Sequence, residues 1–157
     1  MSISMIAREP KKSAAVAEKL VQALRETMVE TAKAQTYHWN VTGMAFGPLH
    51  ALFQEIYEDH FAAQDVIAER LKAMGEYADG RLAQALASST IEEPKGKAKA
   101  IDMVRDLAND QLTLSRTLLA AARVAEQNDD LVTNDLAIER AHVHDKFAWM
   151  LQSHLDD

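Results

Sequence analysis

Apolar residues recur at helical spacing along four long stretches of the chain. They predict helices over residues 13–40, 49–75, 98–127 and 131–154. Between residues 76 and 96 the pattern weakens around Gly80 and Pro94, and we expect a connection that carries a short helix over residues 81–86. A connection of this length allows the second and third helices to run in the same direction, so the pattern predicts an all-α four-helix bundle.

The first helix has an apolar stripe that should face the core of this bundle. The stripe continues at helical spacing through Val16, Leu20, Leu24, Met28, Val29, Ala32 and Gln35. This spacing is that of one face of a helix that ends near Asn40.

Composition agrees with long helices and few turns. The 157 residues include five glycines and three prolines, and 48% of them are hydrophobic. We expect a single domain over residues 1–157, with residues 1–12 as a mobile tail. Cysteine is absent, which excludes disulfides and thiol chemistry. No stretch has the apolar length of a signal peptide or a membrane span, so the expected location is the cytoplasm.

Candidate chemistry lies on the second helix, away from its apolar stripe. With Ile56 at the centre of that stripe, a rotation of about 100° per residue places His50, Asp65 and Glu69 on the opposite face. Phe61 falls on the same face. Asp65 and Glu69 are four residues apart and are therefore neighbours. Imidazoles and carboxylates together are ligands for a divalent transition metal such as iron, zinc or manganese.

A straight helix keeps His50 and Asp65 apart, because fifteen residues span about 22 Å. The two side chains can bind the same ion only if a second copy of the helix crosses the first antiparallel, about a twofold axis near Tyr57 and Glu58. His38 precedes a short turn and can fold back towards His50. Each site would then combine two histidines of one subunit with two carboxylates of the other.

These residues match a known family pattern. The pattern His38-Trp39-Asn40, Gly43, Phe46, Leu49-His50, Asp65 and Ala68-Glu69-Arg70 resembles the Dps family of mini-ferritins, the DNA-binding proteins from starved cells. The stretch 132–136, with Asp145-Lys146-Phe147 and Trp149, resembles the last helix of that family. The resemblance implies a ferritin-like four-helix subunit, a hollow dodecamer built from twofold dimers, and oxidation of ferrous iron at the twofold interfaces.

The resemblance also assigns roles to the four candidate ligands. Asp65, Glu69 and His38 would bind the more tightly held of two iron positions, and His50 the weaker one. Ferrous iron would be oxidised, preferably with hydrogen peroxide, and stored as ferric mineral; other divalent metals could occupy the same ligands. The family often has an acid four residues after the second histidine. Here that position is Gln54, and this departure from the family pattern bears on the affinity of the second iron position.

Two further roles follow from the resemblance. Trp39 would lie beside the iron and be open to oxidation, or it would pack at the subunit interface, or both. Asp135 and Glu139 share one face of the last helix, and Asp130 lies at its entry. In a single chain these acids would form a solvated face with a helix cap; in a dodecamer the resemblance places them in a threefold pore that attracts ferrous ions.

The remaining histidines and the basic residues suggest no other function. Glu139-Arg140-Ala141-His142 has the E-x-x-H spacing of larger di-iron bundles, but it occurs once, which argues against an intrachain di-iron centre. We interpret His60, His142, His144 and His154 as surface or packing residues. Duplex DNA should bind weakly or not at all, because the tail has only Arg8, Lys11 and Lys12 against Glu9 and the net charge is −7.

Peroxide-dependent ferroxidation with mineral storage is the leading hypothesis. The alternative is a DNA-compacting or structural shell protein in which the metal site only secures the dimer. A third hypothesis is a plain four-helix interaction module, which would be a monomer or dimer and would form no mineral.

Overall fold

The computed structural model describes the backbone of residues 10–155 and the side chains of residues 14–155. Within that range it has five helices and no strand: α1 (Pro10–Asn40), α2 (Phe46–Ala73), α3 (Leu82–Ser88), α4 (Ala100–Gln127) and α5 (Leu131–Gln152). The predicted all-α fold is confirmed, and each predicted helix end lies within three residues of the observed one. No helix of the described range has an apolar run long enough to cross a membrane.

The predicted tail, residues 1–12, overlaps the first described residues of α1, because residues 10–12 are helical. That this segment is mobile stays a prediction. The rest of the predicted tail, residues 1–9, lies outside the described residues.

The four long helices form an antiparallel bundle. α1 packs on α2 and α4, α5 packs on α4 and more lightly on α2, and α3 lies on α1. Arg70 of α2 pairs with Asp130 just before α5, and Asp59 pairs with Arg140, so α2 and α5 are antiparallel. α5 also follows α4 after a short turn and runs back along it. α2 and α4 therefore run in the same direction, as the long connection predicts.

The interior has two large apolar clusters with a polar layer between them, and a third, smaller cluster of Val29, Ala85, Ile91 and Leu114 lies where α3 packs on α1. The cluster near the α1–α2 turn includes Tyr37, Phe53, Ile56, Leu107 and Phe147. The cluster at the other end includes Leu20, Leu24, Ile67, Leu71 and Leu118. The polar layer consists of four buried side chains, one from each long helix: Glu30, His60, Gln111 and His144.

The predicted stripe of α1 was correct as far as Val29 and wrong beyond it. Ala32 is exposed and Gln35 is only half-buried, whereas Glu30 and Lys33 are buried. Lys33 is stabilised in the interior by two carboxylates of α4, Asp110 at 2.6 Å and Asp106 at 3.3 Å. The pattern of apolar residues fails here because charged residues occupy positions that face the core.

Candidate metal site

The turn between α1 and α2 brings the two predicted histidines together. α1 ends at Asn40, and Gly43 then adopts a φ of +103°, in the left-handed region that favours glycine. The Gly43 carbonyl accepts a hydrogen bond from the Phe46 N–H at 3.0 Å, and α2 starts there. His38 consequently lies in the last turn of α1, opposite His50 near the start of α2.

His38 and His50 form a stacked pair. Their ring centroids are 3.8 Å apart, and the rings are inclined by 17°. The Nδ1 atom of each ring lies against the backbone carbonyl oxygen of the other residue, at 2.7 Å for His38 and 2.8 Å for His50. A carbonyl oxygen can only accept, so each Nδ1 carries a proton and donates it. In the neutral rings both Nε2 atoms therefore keep the lone pair with which imidazole binds a metal ion.

Two aromatic side chains flank this pair. Phe46 stacks on His50 with ring centroids 5.0 Å apart and an angle of 28°. Tyr57 meets His38 edge-on, with centroids 5.3 Å apart and an angle of 71°. Phe46, His50, His38 and Tyr57 thus make a continuous row of four rings, which we call the ring stack.

The predicted carboxylates lie farther along α2. Because α2 is unbroken, the fifteen residues from His50 to Asp65 span about 22 Å. Asp65 and Glu69 are exposed, as is Phe61, whose side chain is 71% accessible. Among the side chains of residues 14–155, no three from histidine, aspartate or glutamate lie close enough in one chain to hold a metal ion. The structure brings the two histidines together and leaves both carboxylates on an open helix face.

Trp39 follows His38 and is largely exposed, with 66% of its surface accessible. Met44, in the turn to α2, is fully exposed. Because Trp39 is exposed, both an oxidant and a second subunit could reach it, so both interpretations of Trp39 stay predictions.

The acids predicted to line a pore differ in their surroundings. Asp130 is buried; its carboxylate accepts the Thr133 N–H at 3.1 Å, which caps α5, and pairs with Arg70 of α2 at 2.9 Å. Asp135 and Glu139 are exposed on α5. Asp130 therefore holds α5 against α2, while Asp135 and Glu139 face solvent. A pore role for these three acids stays a prediction.

The other histidines separate into two groups. His142, the end of the E-x-x-H motif, and His154 are exposed, and Glu139 at the start of that motif is exposed too. His60 and His144 are buried in the polar layer. All four agree with their interpretation as surface or packing residues.

The hydrogen bonds of the polar layer meet at Gln111, and the sequence pattern did not predict them. The Gln111 amide nitrogen donates to Glu30 Oε1 at 2.7 Å. Its amide oxygen lies 3.1 Å from His60 Nε2 and 2.7 Å from His144 Nδ1, and since this oxygen only accepts, both imidazoles donate to it. One signal was available: Glu30 stands seven residues from both Ala23 and Tyr37, so it lies on the buried side of α1.

The two imidazoles of the polar layer differ in their neighbours. Burial alone would raise the pKa of Asp59, but hydrogen bonds from His60 and Arg140 hold it well below its usual range. An ionised carboxylate only accepts, so His60 Nδ1, 3.1 Å from Asp59, donates to it. Burial, followed by repulsion from His60 and Arg140, lowers the pKa of His144 well below its ordinary value, so His144 is neutral.

Known proteins resemble this chain in sequence and in fold. A family profile described as a ferritin-like domain matches residues 17–157. A DNA protection during starvation protein of Brevibacillus brevis is 36% identical over 126 residues, which cover 79% of this chain and 83% of that protein. A Dps crystal structure from Bacillus brevis has a TM-score of 0.91 at 31% identity and covers 94% of this chain and 99% of its own. A Vibrio cholerae Dps structure, described as a member of a broad superfamily of ferritin-like diiron-carboxylate proteins, has a TM-score of 0.92 at 25% identity, with coverages of 99% and 98%.

Proposed function

The chain belongs to the Dps family of ferritin-like proteins, and from this premise we propose that it oxidises ferrous iron and stores the ferric product as mineral inside a hollow dodecamer. Hydrogen peroxide is the preferred oxidant. His38 and His50 of one subunit and Asp65 and Glu69 of another bind the iron at a twofold interface. The protein would act in the cytoplasm and protect the cell from oxidative damage.

The stacked histidine pair is the observation that carries this proposal. It presents two Nε2 atoms whose tautomer is set by backbone carbonyls, and among the described residues no carboxylate of the same chain completes a group of three ligands with it. Two α2 helices that cross antiparallel about a twofold axis would place Asp65 and Glu69 of one beside the histidines of the other. The same crossing would cover Phe61, which a single chain leaves exposed.

The ligand set suits the reaction. Imidazole nitrogen and carboxylate oxygen bind ferrous and ferric ions alike, and the negative charge of Asp65 and Glu69 favours the ferric product. Two ferrous ions give one electron each to a peroxide, which takes up protons and leaves as water, and the ferric ions then hydrolyse. Because both electrons are delivered together, free hydroxyl radical is avoided. Gln54, exposed and bonded to Glu58 at 2.8 Å, supplies no charge, so the second ion would bind more weakly.

Co-assembly of two inactive variants tests the shared site. One variant carries His38→Ala with His50→Ala, and the other carries Asp65→Ala with Glu69→Ala. Each alone should assemble and lose fast peroxide-dependent oxidation, followed as the rise of ferric absorbance. A mixed dimer has one site with all four ligands and one with none, so random co-assembly should restore about one quarter of the wild-type rate.

Two results would contradict the proposal. A site contained in one chain predicts no recovery on co-assembly, and a metal site that only secures the dimer predicts no fast oxidation by the wild type. Each variant alone and a mixture of separately assembled shells serve as controls, because none of them contains a dimer with four intact ligands.

A further inference from the structure

We propose that Phe46 and Tyr57 are positioning residues, which hold His38 and His50 in the stacked arrangement that the ferrous ions require. This inference rests on the proposed function. The two residues do not bind the metal; they act through the imidazoles that they contact.

Ring orientation in histidine has to come from its surroundings. The torsion that rotates an imidazole about its bond to Cβ is broad and only roughly twofold, so the side chain itself fixes the Nε2 direction poorly. In the ring stack each imidazole has an aromatic neighbour on both sides: His50 lies between Phe46 and His38, and His38 lies between His50 and Tyr57. The flanking rings therefore exclude the intermediate orientations that a free imidazole would visit.

The two Nδ1 hydrogen bonds couple the imidazoles to each other. Each ring donates to the backbone of the other residue, so a displacement of His50 also moves the carbonyl that His38 uses. Both bonds are partly buried, and a hydrogen bond that is less open to water is stronger. Phe46 touches only His50 in the ring stack, but through this coupling it also restrains His38.

Ordinary packing does not account for Phe46. Its side chain is 46% exposed, and it belongs to none of the three apolar clusters of the interior, so it contributes little to the core of the subunit. Tyr57 is different, because it is half-buried and packs against the cluster near the α1–α2 turn. Phe46 is therefore the cleaner position at which to separate positioning from stability.

Binding of Co²⁺ to the assembled wild-type and variant shells tests the inference. Co²⁺ accepts the same ligands, and its visible absorption reports their geometry independently of iron oxidation. Phe46→Leu should weaken Co²⁺ binding about ten- to a hundredfold, as the loss of an outer support of a metal ligand does, and should alter the spectrum. Phe46→Tyr, which keeps the ring, should restore both. Tyr57→Leu and Tyr57→Phe form a second pair with the same expectation.

Tyr77→Leu is the matched control, because Tyr77 is an aromatic residue that is 76% exposed and lies outside the ring stack. It should bind Co²⁺ as the wild type does. The mass of each shell shows whether assembly is kept, and if Phe46→Leu does not assemble, Phe46→Met replaces it.

The outcomes separate the two proposals. If His38→Ala abolishes Co²⁺ binding while Phe46→Leu and Tyr57→Leu bind like the wild type, the positioning role is overturned and the shared site stands. If Phe46→Tyr binds as poorly as Phe46→Leu, the ring is not what matters and the inference fails. If wild type and His38→Ala bind Co²⁺ equally, the proposed function fails first.

Discussion

At the scale of single residues, His144 makes the stability of the fold depend on pH. Its pKa in the folded chain is lowered by burial and by the interactions with His60 and Arg140, so the unfolded chain binds this proton more readily. The free energy of unfolding therefore decreases as the pH falls below the unfolded value of about 6.5, by up to about 1.4 kcal/mol per pH unit from this group. Protonation would place a buried charge on a ring whose centroid is 4.7 Å from that of His60.

His144→Gln removes this titration and keeps a donor for Gln111. Between pH 6.5 and 5, round values around the ordinary histidine pKa, its free energy of unfolding should fall less steeply than that of the wild type. Denaturant unfolding at a fixed protein concentration measures both slopes. His154→Gln, at an exposed position, is the control and should keep the wild-type slope. Equal slopes for His144→Gln and the wild type would show that His144 does not stay neutral.

Single residues also show why part of the site was predictable. His50, Asp65 and Glu69 lie on one regular helix, so counting residues was enough to show that one chain separates them. The reciprocal bonds of His38 and His50 were not predictable, because they depend on the exact path of the turn at Gly43.

At the scale of the helices, two arginine pairs hold α2 against α5. Arg70 and Asp130 have side chains that are 14% and 3% exposed, and Arg140 and Asp59 pair about three helical turns away along the same seam. A buried carboxylate that loses its cation keeps its desolvation cost, so such pairs matter far more than surface pairs.

Arg70→Met should lower the free energy of unfolding by about 2–4 kcal/mol, because Asp130 keeps its bonds to Thr133 but loses the charge opposite. Arg105→Met, whose pair with Asp102 is more than half exposed on both sides, should cost less than about 1 kcal/mol. Unfolding in denaturant measures both. Similar costs for the two substitutions would mean that the seam does not depend on this pair.

The order and length of the helices were readable from the sequence, but the interior they enclose was not. Apolar periodicity gave helix ends within three residues. It failed at Glu26, Glu30 and Lys33 of α1, since these charged side chains are buried with partners from other helices, such as Thr117, Gln111 and Asp110 of α4. A pattern within one helix holds no information about a partner on another.

At the scale of the assembled molecule, the exposed acids of α5 would control iron entry. Asp135→Asn with Glu139→Gln should slow the uptake of ferrous iron several-fold at low salt, because a pore with fewer carboxylates concentrates cations less. The rates should converge at high salt, where the field is screened. Asp130 is left unchanged, because its loss would also disturb α5.

Glu92→Gln with Glu93→Gln removes two exposed acids outside α5 and is the control for net charge. Its uptake rate should equal that of the wild type at every salt concentration. Equal rates for all three proteins, with shells of equal mass, would remove the pore role from Asp135 and Glu139.

Duplex DNA should bind the shell weakly, because the net charge of −7 per chain adds up over all subunits and repels the DNA phosphates. A gel shift with duplex DNA at low salt should disappear as the salt approaches about 150 mM, near cellular ionic strength. A complex that persists there would favour the DNA-compacting alternative.

The unbroken course of α2 has a consequence for the life of the protein in the cell. Under the proposed function, a newly made polypeptide owns halves of two reaction centres and no complete one. An unpaired subunit therefore leaves ferrous ions unoxidised. Ferric product can form only where subunits have begun to assemble into the shell that stores it.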